Sequence, residues 1–364
     1  MKVLQIINSL DAGGAEKLLL ETIPLYNKKG IQMDILVFNG EDYPFMKELK
    51  LTNSCQIFSL GSSSVYNPLN IFKIISYLKN YDILHVHLFP AQYWTVLAKW
   101  ISFSKVKLVF TEHNTHNRRM NNLVFIICDK IIYSGYKKVI CITSEVKRIL
   151  ENHLGKSGKK FPVIENGINL NAIKSALPYE KTALISGIFE DDKVLIQVSA
   201  FREQKDQPTL IRSLKNLPEN VKLILVGDGI LRNDCEALVK KLELEERVFF
   251  LGLRMDVSRL LKTADIIVLS SKYEGLSLSS MEGMASGKPF IASDVPGLTE
   301  VVKNAGILFP QGDEEALGKE ISDLLANVEH YNITVQKCLK RSEKYDITKM
   351  VDKHLELYKS ILKN

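Results

Sequence analysis

Short apolar runs alternate with amphipathic stretches along the chain. Runs rich in Val, Ile and Leu read as buried strands over 3–7, 33–38, 57–60, 83–87, 108–111 and 139–142. Stretches at 15–27, 69–79 and 144–153 carry apolar residues at helical spacing and read as helices between them. Strands alternating with helices give a parallel sheet covered on both faces. The alternation restarts at 194–199, 222–226, 248–250, 266–269 and 289–292. Between the two series, 166–189 is weakly periodic and holds Pro178 and two glycines. The expected plan is an α/β chain. Residues 1–168 form one doubly wound domain, 169–189 a linker, 190–345 a second such domain, and 346–364 a terminal segment whose 348–362 is an amphipathic helix. Domains of this kind bind ligands at the carboxyl ends of their strands, so two of them facing across a cleft would share one ligand.

Composition narrows the class without naming it. The chain has 364 residues, enough for two or three cores. Its 46% hydrophobic and 25% charged content is ordinary for a water-soluble globular protein. Cys55, Cys128, Cys141, Cys235 and Cys338 are scattered and form no metal or redox spacing, so they read as reduced packing residues of a cytoplasmic protein. No signal-peptide pattern and no apolar run of spanning length is read. Charge is uneven. Residues 1–180 carry 22 Lys and Arg against 14 Asp and Glu, whereas 181–364 carry 26 against 28. The basic half is expected to meet an anionic lipid surface or a phosphate-bearing acceptor; no nucleic-acid motif is present. Phe89, Tyr93, Trp94, Trp100 and Phe103 lie among Lys99, Lys105, Lys107 and Lys130. That mixture suits contact with the cytoplasmic face of an anionic membrane, and equally two packed helices with one wet face.

The chemistry concentrates after the strand 266–269. There Tyr273-Glu274-Gly275-Leu276-Ser277 leads into a helix that carries Glu282. One carboxylate precedes the helix N-terminus and the other lies a turn or two inside it. The pair reads either as a cap plus a solvated acid, or as a site. In a site, the first amides at the helix N-terminus, near Leu276 and Ser277, would hold a diphosphate, with Gly275 beside the donor, while the carboxylates accept hydrogen bonds from sugar hydroxyls. Gly13-Gly14 after the first strand bares backbone where a ligand could approach, or makes a tight turn. The acid of a dinucleotide site is missing after strand two, which ends Val37-Phe38-Asn39-Gly40; this argues against NAD. His85 and His87 share the strand 83–87, and alternation is read as placing them on opposite faces or at the rim, so a two-His metal face is not expected. No Asp-x-Asp occurs, which leaves no usual seat for a metal against a diphosphate.

The Glu274-x7-Glu282 stretch, with Gly13-Gly14-Ala15-Glu16 near the start, resembles family 4 of the retaining glycosyltransferases (glycosyl transferases group 1). The likeness runs over nearly the whole chain. It implies the GT-B architecture, in which two Rossmann-like domains face each other and the C-terminal helix crosses back to the first. It implies transfer of a hexose or N-acetylhexosamine from a nucleotide diphosphate sugar, a UDP-sugar favoured over a GDP-sugar, to a saccharide acceptor. A lipid-linked acceptor in cell-surface polysaccharide synthesis is expected, with no cofactor and no metal. By this resemblance Glu282 holds ribose, Glu274 the transferred sugar, and Gly13, Gly14, Gly227 and Leu253 line the donor. Lys205 and Arg202 offset the diphosphate charge, and His113 contacts the reacting sugar. His87, Glu112, Arg118 and Arg119 fall on the acceptor side. The acceptor would attack from the leaving-group face, and the diphosphate would take its proton. One position departs from the family: the Arg expected five residues before Lys205 is Ala200, and Arg202 is its nearest substitute. A nucleotide-sugar 2-epimerase of the same architecture and a non-catalytic nucleotide-sugar-binding partner protein are the rival readings.

Overall fold

A computed structural model describes residues 1–113 and 122–363. Contacts divide the chain into two compact units, each built on its own six-stranded parallel sheet. The first unit comprises Met1–Gly167 and the C-terminal helix Ile347–Lys363; the second is Ile168–Asp346.

In the first unit the strands are β1 (Lys2–Ile7), β2 (Gln32–Val37), β3 (Ile57–Ser59), β4 (Ile83–His87), β5 (Lys107–Glu112) and β6 (Lys138–Cys141). Their spatial order is β3-β2-β1-β4-β5-β6. Every residue of β4, and all but the first of β1, β2 and β5, is buried. That is the pattern of strands covered on both faces. The helix Gly14–Lys28 buries Ala15, Leu18, Leu19, Thr22, Ile23 and Tyr26, one stripe at three- and four-residue spacing. The C-terminal helix buries Ile347, Met350, Val351, His354, Leu355, Tyr358 and Ile361 in the same way. It is held by a 2.6 Å Lys29–Asp352 ion pair and by hydrogen bonds from its inner face to Tyr26 and His85.

The second unit repeats the plan with β7 (Lys193–Val198), β8 (Val221–Val226), β9 (Val248–Gly252), β10 (Ile266–Leu269), β11 (Phe290–Ser293) and β12 (Ile307–Phe309), ordered β12-β11-β10-β7-β8-β9. The three-residue edge strand β12 is not among the strands expected from the sequence. Residues 169–189, read above as a linker, fold onto this unit. The Tyr179 hydroxyl donates to Asp256 Oδ2 at 2.5 Å, its backbone N–H donates to Thr263 Oγ1 at 2.8 Å, and the Arg259 guanidinium sits 3.7 Å over its ring. The short helix Leu170–Ser175 buries Leu170 and Ile173. One aromatic anchor and the two short helices Leu170–Ser175 and Lys181–Leu184 leave no periodic signal.

Candidate active site

In both sheets the strand order reverses between two adjacent strands, β1/β4 and β7/β10, and ligands of such sheets bind at the carboxyl ends flanking that point. In the second unit the two loops there are stitched together by Gln197, a buried polar residue within β7. Its Nε2 donates to the Lys205 carbonyl at 3.0 Å, and its Oε1 accepts from Ser270 Oγ at 2.9 Å. Ser270 Oγ also lies 2.9 Å from the Asp206 carbonyl. Lys272 N–H donates to the Gln204 carbonyl at 2.7 Å. The sequence reading missed Gln197; its one signal is a polar side chain inside an apolar strand.

On this frame Lys205 Nζ donates to Glu274 Oε1 at 2.5 Å, with the carboxylate side chain 6% exposed and the lysine 17%. Ser271 Oγ donates to the same oxygen at 2.7 Å, and Gln204 Nε2 reaches Oε2 at 3.5 Å. The Glu274 backbone is pinned from below: its N–H donates to the Pro296 carbonyl at 3.1 Å. Gly297, at φ +85°, comes so close that a Cβ there would lie 2.1 Å from the Glu274 carbonyl oxygen. Leu276 and Ser277 are buried. Ser277 caps the helix Leu278–Ala285 by accepting from Ser280 N–H, and Glu282 is buried within that helix. A buried carboxylate therefore stands on either side of a capped helix N-terminus, one of them neutralised by a lysine.

The remaining donor candidates divide. Gly227, at φ +134°, lets its loop lie directly on the loop after β7, where an added Cβ would fall 2.1 Å from the Ser199 carbonyl oxygen. Leu253 is about half exposed. Beyond it Arg254 makes a two-pronged pair with Asp256, at 2.8 and 2.5 Å, which lowers the Asp256 carboxyl to about 2. Arg202 is exposed, and its side chain pairs with none of the described residues.

In the first unit Asn8 joins the ends of β1 and β4, donating to the Phe89 carbonyl at 2.8 Å. Gly13 is the N-cap of the helix Gly14–Lys28, and the Glu16 carboxylate folds over it: a Cβ on Gly13 would lie 2.2 Å from Glu16 Oε2. The backbone of Gly13 is thus overlain by the helix's own acid.

The expectation for His85 and His87 is corrected. Residues two apart on a strand share a face, and their rings stand 4.4 Å apart. His85 bonds Tyr358 OH at 2.5 Å and Thr111 Oγ1 at 2.7 Å. His87 bonds Gln5 Oε1 at 2.8 Å through Nε2 and His113 Nε2 at 3.1 Å through Nδ1. His354 Nδ1 meets Tyr26 OH at 2.5 Å. These rings border a cavity of about 20 Å³, room for one water. Burial holds all four imidazoles below their ordinary range: His113 falls to about 4, His354 to about 3, and His85 and His87 well below. Glu112 is buried and accepts from Tyr133 OH at 2.6 Å. Arg118 and Arg119 lie outside the described residues.

Comparison with known proteins fits both halves. Residues 12–172 match the family described as Glycosyltransferase Family 4, and residues 180–341 match Glycosyl transferases group 1. The chain is 30% identical over 301 residues to the N-acetyl-alpha-D-glucosaminyl L-malate synthase of Bacillus anthracis, covering 79% of this chain and 76% of that one. It is 27% identical over 316 residues to the UDP-Gal:alpha-D-GlcNAc-diphosphoundecaprenol alpha-1,3-galactosyltransferase of Escherichia coli, covering 81% and 79%. Its fold resembles that of Anabaena HepE, solved with UDP and glucose, at a TM-score of 0.86 and 21% identity over 99% of this chain and 100% of that one. The chain belongs to the family 4, group 1 glycosyltransferases and has their GT-B fold.

Proposed function

We propose that this glycosyltransferase moves a hexose or N-acetylhexosamine from a UDP-sugar to a saccharide acceptor carried on a lipid, with retention at the anomeric carbon and without a metal ion. The observation that carries this reading is the pair of buried carboxylates, Glu274 and Glu282, around the Ser277-capped helix, with Lys205 on Glu274. Glu282 accepts hydrogen bonds from ribose, and Glu274 from the transferring sugar. Lys205, Arg202 and the loop amides of Leu276 and Ser277, which lead into the helix Leu278–Ala285, stabilise the departing diphosphate; such fixed charge and dipole are usually the largest catalytic contribution. The bond from the anomeric carbon to the phosphate oxygen breaks, a bond to the acceptor oxygen forms on the same face, and the acceptor's proton passes to the diphosphate. UDP is favoured because HepE was solved with UDP and glucose and the Escherichia coli relative is named for UDP-Gal. A lipid-linked acceptor is favoured because the Escherichia coli and Campylobacter jejuni relatives are named for diphosphoundecaprenol and diphospho-undecaprenol substrates.

The helix Leu123–Ser134 supports a membrane seat for such an acceptor. It is amphipathic inside out. Its buried face holds Asp129, bonded to Tyr93 at 2.6 Å and His153 at 2.9 Å, together with Ile132 and Tyr133. Its outer face exposes Leu123, Val124, Ile127 and Ile131 at 53–78%. Aliphatic side chains facing outward beside Lys130 match the boundary of an anionic bilayer. No described helix is long and apolar enough to cross a membrane. The test is transfer from radiolabelled UDP-sugars to an undecaprenyl-diphosphate saccharide in EDTA. Product formation with retained anomeric configuration supports the reading, and an absolute requirement for added metal refutes its metal-free part.

A further inference from the structure

We propose that Gln5 and His87 form a relay that fixes the tautomer of His113, with its proton on Nε2 and its lone pair on Nδ1. The inference rests on the reading, implied by the family resemblance, that His113 contacts the transferring sugar, and deepens it. Gln5 is 1% exposed; its Nε2 donates to Met33 Sδ at 3.2 Å, and its Oε1 faces His87. Carbonyl oxygen only accepts, so His87 Nε2, 2.8 Å away, carries a proton. Burial keeps His87 neutral, so its Nδ1 is a lone pair. That lone pair faces His113 Nε2 at 3.1 Å, and His113 must donate there. The opposite arrangement would set two lone pairs against each other 3.1 Å apart in a part-buried contact. His85 does not compete for His87, because Tyr358 and Thr111 occupy both of its nitrogens. His113 is itself neutral near pH 7, so the orientation that starts at Gln5 ends with an acceptor on Nδ1. His113 is thereby suited to accept a hydrogen bond from a sugar hydroxyl and has no proton to give from that nitrogen. His87 and Gln5 are positioning residues; neither is required to touch substrate.

The test is a long-range ¹H–¹⁵N correlation on full-length protein labelled at histidine, at neutral pH and without donor, with His113 assigned by its loss in His113→Gln. The expected wild-type result is a protonated, pyrrole-type Nε2 and a pyridine-type Nδ1 at His113. His87→Ala should give a mixture of tautomers and lower kcat roughly three- to tenfold, the effect of one hydrogen bond, with a smaller change in donor KM. His87→Asn places Oδ1 where Nδ1 stood, so it should keep the Nε2–H form and lose less rate. A wild-type His113 protonated on Nδ1 or on both nitrogens overturns the relay. So does a tautomer that His87→Ala leaves unchanged; if that variant does not fold, the wild-type and His87→Asn spectra decide. The spectra need no substrate. Undiminished transfer by His113→Gln would remove His113 from the chemistry while leaving the relay standing.

Discussion

Removing Lys205 should cost the second unit more stability than removing Glu274, and the two effects should not add. Glu274 is the more deeply buried partner, at 6% against 17%. Lys205→Met leaves its carboxylate with Ser271 and Gln204 as hydrogen-bond donors and no cation. Stripping one partner from a buried pair costs about 3–5 kcal/mol. Glu274→Gln leaves a lysine that can reach water on its flexible stem, so its cost is that of one charged hydrogen bond, about 1.5–3 kcal/mol. In a unit of about 180 residues each kcal/mol moves Tm by about 2–4 °C. Lys205→Met should therefore melt roughly 10 °C below wild type and Glu274→Gln roughly half as far below. Urea unfolding of both single variants and the double variant gives the coupling directly, and it should be about 1–3 kcal/mol. Equal single losses that add to within about 0.5 kcal/mol would refute a buried, mutually dependent pair. The result bears on function because a diphosphate bound at Lys205 must share the cation that neutralises Glu274 in the free protein.

Three further outcomes follow from the same geometry. Glu282→Ala removes charged hydrogen bonds worth about 1.5–3 kcal/mol, so donor affinity by calorimetry should fall roughly ten- to a hundredfold; unchanged affinity would remove Glu282 from the site. The first unit should be acid-labile. His113 and His354 titrate near 4 and 3 when folded and near 6.5 when unfolded, so the unfolded chain binds more protons below pH 6.5. Stability is complete above that value and falls as pH drops, by roughly 2 kcal/mol per histidine at pH 5. Urea midpoints flat from pH 7 to 5 would contradict it. Ile127→Asp with Ile131→Asp changes two exposed positions, so the fold should hold while flotation with anionic vesicles falls; equal flotation would exclude the Leu123–Ser134 helix as the seat.

Much of the architecture was legible because buried parallel strands write themselves as short apolar runs. The eight-residue step from Glu274 to Glu282 was legible because a strand, a glycine turn and a capped helix are local. The residues that organise the sites were harder to see. Gln5 and Gln197 each sit within the first strand of their unit, and each holds a loop or a side chain at the switch point. A single buried amide carries no motif; only its partners, up to 82 residues away, give it meaning. His85 and His87, two residues apart on β4, share a face with rings 4.4 Å apart, so the expectation of opposite faces or a rim position does not hold for the pair. The fold of Glu16 over Gly13 shows that a bare glycine in sequence need not be bare in space.

The central claim is that the second unit binds a nucleoside diphosphate sugar through Glu282 and its helix. Thermal shift of wild type and Glu282→Ala with UDP, GDP, ADP and their sugar conjugates, in EDTA, tests it most directly. At a hundred times Kd, binding adds about 2.7 kcal/mol, which should raise Tm of the second unit by roughly 5–10 °C. The account predicts that shift with UDP compounds, and a clear loss of it in Glu282→Ala. No shift with any nucleotide, or the same shift in both proteins, would contradict it.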